Sequence, residues 1–96
     1  MTDDHNALEK KARTLHALLD DYEQDPNAHR TYADLGRIEA AWRALGDATL
    51  AALQWTDQPT PAQGTYYGTL MARTYQFLMT ENAVCSAILD AEIGRN

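Results

Sequence analysis

The sequence is poor in most of the residues that reactive chemistry draws on. It holds one cysteine, Cys85, and one serine, Ser86. A lone cysteine excludes an internal disulfide, which makes a reducing, cytoplasmic setting the default expectation. No Gly-x-Ser-x-Gly elbow surrounds Ser86, so the serine-hydrolase pattern is missing. Basic residues are scarce: eight Lys and Arg stand against fourteen Asp and Glu, for a net charge of −6. Nucleic-acid phosphates repel such a chain, so no direct nucleic-acid partner is expected. No apolar run approaches the roughly 18–20 residues needed to span a bilayer. The start, Met1-Thr2-Asp3-Asp4, is too acidic for a secretory signal or a transit peptide. No membrane partner is expected either.

What is present is helical. The chain is 45% hydrophobic over 96 residues, enough for one folded domain, 1–96, and too short for a second core. Two Pro/Asx clusters, Asp25-Pro26-Asn27 and Asp57-Gln58-Pro59-Thr60-Pro61, break it into three segments without strand-like alternation. The first segment, about 3–24, places Leu8, Ala12, Leu15, Leu19 and Tyr22 at steps of four and three, one face of a helix. Thr2 is placed to cap it, and Asp3 and Asp4 suit the positive end of its dipole.

The second segment, about 28–55, repeats a seven-residue rhythm through Leu35, Ile38, Trp42, Leu45, Thr49 and Leu53. Two starts fit equally well: Asp25 capping with Pro26 at the first helical position, or Thr31 capping with Asp34 three residues on. Gly36 and Gly46 each weaken a helix by about 1 kcal/mol relative to alanine. The apolar rhythm runs through Gly46, which predicts continuity. The third segment, 61–93, opens on the capping box Thr60-Pro61-Ala62-Gln63 and reaches Gly94, a natural stop. Its apolar stripe is wide, with two registers side by side, so this helix should touch more than one neighbour. Short connections predict an all-α, antiparallel three-helix bundle. The third helix is the longest, and its overhang needs a cover that a bent second helix or a second copy of the chain could supply. A homodimer through the third helix is therefore one expectation.

The candidate sites are surfaces. Asp20, Asp21, Glu23 and Asp25 gather at the carboxyl end of the first helix, where the dipole prefers cations. They are read either as a solvated helix end or as a docking surface for a basic partner. They lack the Asp-x-Asp-x-Asp-Gly spacing of a calcium loop. His5, His16 and His29 form no cluster, since His5 and His16 would lie about 16 Å apart along one helix. No metal and no cofactor are expected. Cys85 sits on an apolar stripe without a nearby base and reads as a core residue. A bundle of this size has little concave interior in which to shift a pKa, so no catalytic residue is expected. Ala33–Arg43 has some of the look of a helix-turn-helix, but Glu39 and Asp47 spoil its basic footprint.

Residues 65–79 are the densest apolar stretch. Tyr66, Tyr67, Met71, Tyr75, Phe77 and Met79 project around most of a helix and cannot share one seam. Tyr and Met with few charges is also the composition of an interface core, so these six are candidate interface residues as well as candidate core. The WxG motif of small secreted helical-hairpin proteins is absent, because Trp42-Arg43-Ala44 and Trp55-Thr56-Asp57 both lack the glycine. The expected function is a non-enzymatic acidic protein-binding module. Most concretely, it would be an inhibitor docking on a basic, nucleic-acid-handling surface of another protein. In size and charge, though in no motif, the chain is similar to phage anti-defence proteins, anti-CRISPR proteins among them. A structural self-association or adaptor domain is the alternative.

Overall fold

The apolar face of the first segment folds as expected, into α1 (Thr2–Gln24). Leu8, Ala12, Leu15, Leu19 and Tyr22 are each no more than 2% exposed in the computed structural model. The structure describes residues 2–94, and the side chains of 3–94. A cap from the Thr2 side chain lies outside the described residues. Asp3 and Asp4 occupy the first turn, and no basic residue occupies the last.

The second segment departs from its expected bounds of 28–55. It forms a single turn, α2 (Pro26–His29), and then α3 (Tyr32–Ala52). Both candidate starts are used. Pro26 opens α2, and Thr31, in extended backbone, caps α3 by accepting the Asp34 N–H at 3.1 Å. The extended Thr31 is what interrupts the helix. At the far end the N–H groups of Leu53, Gln54 and Trp55 donate to carbonyls only three residues back, so the last turn tightens and the helix stops before 55. Gly46 does not break α3. A Cβ there would lie 3.0 Å from the terminal methyl of Met71, so the missing side chain lets the fourth helix close in.

That fourth helix, α4 (Pro61–Gly94), starts as its capping box dictates. Thr60 N–H donates to Gln63 Oε1 at 2.8 Å, and Gln63 N–H to Thr60 Oγ1 at 3.2 Å. At 1.5 Å per residue α4 is roughly 50 Å long, and the molecule is a rod of 59 × 21 × 18 Å.

The three long helices run up, down and up. α3 lies between the other two and packs on both, while α1 and α4 touch more narrowly. At one end His5 Nε2 donates to the Asp57 carbonyl at 2.7 Å and stacks obliquely on Trp55, tying the start of α1 to the α3–α4 loop. At the other end Tyr22 meets Phe77 edge-on, with ring centres 4.9 Å apart. Trp42 Nε1–H donates to the Met71 carbonyl at 3.1 Å across the α3–α4 seam. Cys85 closes the core. Beyond it, every described residue of α4 from 86 to 94 is exposed. Among the described residues there is no strand, and no helix is long and apolar enough to cross a membrane.

Candidate protein-binding surfaces

The acidic end of α1 lacks a cation of its own, and α4 supplies one. The Arg73 guanidinium donates to both carboxylate oxygens of Glu23 at 2.9 Å and lies 3.8 Å from Asp20. His16 Nδ1 stands 3.0 Å from the other Asp20 oxygen. Two of the four expected docking acids are thus engaged within the molecule. Asp21 and Asp25 are exposed and make no ion pair among the described residues. Asp25 precedes α2 without a side-chain capping bond, so its carboxylate stays available. One guanidinium meets two of the four carboxylates, and the patch remains anionic. The sequence hid this bridge because Arg73 lies 50 residues from Glu23.

The six candidate interface residues divide. Tyr67 belongs to the interior, at 5% exposure, and the burial pushes its phenol pKa up. Phe77 and Met71 are half-buried against the core. Tyr66, Tyr75 and Met79 are exposed, at 43%, 49% and 57%. Ile88, Leu89 and Ile93 join them on the overhang, and Tyr32, Leu50 and Leu53 on and just after α3. From residue 62 to residue 89, α4 carries only two charged side chains, Arg73 and Glu81. Arg73 turns to α1, and Glu81 turns inward to Arg30 at 3.3 Å. The outward face of α4 is therefore uncharged for roughly 40 Å.

Concavities line the same side. A groove of about 260 Å³ runs between the end of α3 and the start of α4, with Leu53, Pro59, Gly64, Gly68 and Met71 on its walls. A second, shallower groove joins Glu39, Trp42, Tyr75, Leu78, Met79 and Asn82. Gly64 and Gly68 each face open space where a Cβ would stand. Each costs α4 about 1 kcal/mol relative to alanine, and no close approach within the chain requires them.

The titratable groups of the interior gather around Tyr22. The Tyr22 hydroxyl is buried beside Glu81 and Arg30 without a hydrogen bond of its own. Burial first, and then the nearby Glu81 carboxylate, as an acceptor facing the phenol and as a charge, push its pKa up to about 12. His29 Nδ1 lies 3.6 Å from Asp34, which also pairs with Arg37. Among the described residues no group of three or more His, Cys, Asp or Glu gathers as metal ligands. In comparisons with known proteins the chain matches no family model, no curated protein and no solved structure.

Proposed function

We propose that the chain is a non-catalytic, acidic protein-binding module acting in a reducing, cytoplasmic setting. It docks through the carboxylates at the end of α1 on a basic surface of a partner protein. The observation that carries this reading is the imbalance at that end: Arg73 engages Glu23 and Asp20, while Asp21 and Asp25 are exposed and without an ion pair among the described residues. Complementary charge sets association rate and specificity more than affinity, and it is screened by salt. Basic grooves of this kind belong to proteins that handle nucleic acids. A rod only about 20 Å thick that fills one would act as a competitive inhibitor, the anti-defence or anti-CRISPR type of function.

Two variants with opposite expected effects test this. Asp21→Lys with Asp25→Lys reverses the free acids and leaves the Arg73 bridge intact. Arg73→Ala releases Glu23 and Asp20 and makes the patch more anionic, while an exposed pair of this kind contributes only about 0–1 kcal/mol to stability. With the intact chain as bait and mass spectrometry of what it retains, the double variant should lose the basic proteins that the native chain holds. Arg73→Ala should hold them to higher salt. Equal retention by all three chains would remove the acidic docking reading.

A further inference from the structure

Buried residues on α4 mark one seam: Tyr67, Leu70, Thr74, Leu78, Glu81 and Cys85. A second seam with heptad spacing runs beside it, through Gly68, Ala72, Tyr75, Met79, Asn82, Ser86, Leu89 and Ile93. The steps are four, three, four, three, four, three and four, the spacing of helices that pack knobs into holes. All eight positions are exposed, and none is charged. Within one chain α3 only borders this seam, with Trp42 beside Tyr75 and Tyr32 on Ser86, and leaves it exposed.

The structure assigns its occupant: we infer that a second copy of the chain lies antiparallel on α4, about a twofold axis between Thr80 and Glu81. In an antiparallel pair each a position faces a d position of the other helix. With that axis, Gly68 faces Ile93 of the second copy, Ala72 faces Leu89, Tyr75 faces Ser86, and Met79 faces Asn82. Every layer joins a small or short polar residue to a large one. Two exposed apolar residues of the overhang, Leu89 and Ile93, fall on the two smallest, Ala72 and Gly68. Gly68 lines the 260 Å³ groove, so Ile93 of the second copy enters it. This gives the glycine, idle in a lone chain, a use as the hole for that knob.

Polarity and area agree with the assignment. Ser86 Oγ already pairs with Tyr32 Oη at 2.8 Å, and Asn82 Nδ2 donates to the Leu78 carbonyl at 2.7 Å, so both enter the contact with a partner in hand. Two molecules of net charge −6 repel, and the uncharged seam lets two α4 helices meet without opposing like charges. The seam is about 38 Å long and about 10 Å wide. That is about half of the roughly 800 Å² per partner of a standard interface. The neighbouring edge of α3, with Tyr32, Leu50 and Leu53 exposed and Glu39 neutralised by Arg43 at 2.9 Å, is the surface that would add the rest. The acids lie on the other flank of α4, where Arg73 and Phe77 face α1. Dimerisation and acidic docking are therefore independent, and either can fail alone.

Sedimentation equilibrium of the intact chain tests the assignment, beside circular dichroism. The native chain should be a dimer at micromolar concentration. Gly68→Leu should weaken it about a hundred-fold, because the twofold introduces the clash twice at about ten-fold each. Its helicity should be kept, since that side chain enters open space in the lone chain. Ile93→Asp, on the exposed overhang, should act alike. Orientation is read in a Cys85→Ala background: Ala72→Cys mixed with Leu89→Cys should give the mixed disulfide on oxidation, and Ala72→Cys alone should not cross-link. A native monomer at the highest soluble concentration would overturn the proposal. So would a Gly68→Leu dimer of native strength, or cross-linking of Ala72→Cys with itself.

Discussion

Tyr22, Arg30 and Glu81 form the one buried polar cluster among the described side chains whose chemistry reaches stability. Glu81 is 8% exposed and takes its cation from the short α2–α3 connection. Arg30→Ala should lower the thermal midpoint, because it strands that carboxylate. Glu81→Leu should recover part of the loss in the Arg30→Ala background by removing the stranded charge. Tyr22 gives a pH signature. Its folded pKa, about 12, lies above the ordinary value of 10, so the folded state favours the protonated phenol. That contribution is whole below pH 10 and is lost as pH rises from there through about 12. Denaturant midpoints should fall across that window in the native chain and fall less in Tyr22→Phe. The latter keeps the ring contact with Phe77 and discards an unpaired buried hydroxyl, so at neutral pH it should match or exceed native stability. The ring itself was legible from the spacing of α1. The cluster was not, because Arg30 and Glu81 stand 51 residues apart and nothing local marks Glu81 as buried.

Single helices were legible through their punctuation. Thr60 and Gln63 form their reciprocal cap as the sequence implies, and Thr60→Ala should cost about 0.5–2 kcal/mol by chemical denaturation. The start of α3 offered two local solutions of similar worth, and the chain adopts both, one turn at Pro26 and a fresh start at Thr31. The extended backbone at Thr31, which caps the new start, is where the first turn gives way to α3. The two glycines of α3 separate local from tertiary cost. Gly36 faces open space, so Gly36→Ala should stabilise by about 1 kcal/mol. At Gly46 the added methyl meets the end of Met71 at 3.0 Å, so Gly46→Ala should gain less than Gly36→Ala does. A gain at Gly46 equal to that at Gly36 would show that Met71 moves freely.

At the scale of the whole molecule, the rod has two unlike flanks. One carries the carboxylates of α1 around Arg73. The other carries the uncharged outer seam of α4 and the exposed edge of α3. The two registers of α4 could be read from residue spacing alone. Which of them faces inward could not, because Tyr67 and Tyr66, or Phe77 and Tyr75, are equally apolar, and only contact with α1 and α3 distinguishes them. The central claim is that the outer register is made to be covered. A bare helical end of nine residues frays in water, since most helical stability comes from packing. Hydrogen–deuterium exchange of the backbone amides at 86–93, followed over a dilution series of the native chain, tests this most directly. Strong protection at high concentration that disappears on dilution, with the core of α1 protected throughout, is the predicted result. Rapid exchange at 86–93 that does not change with concentration would contradict it.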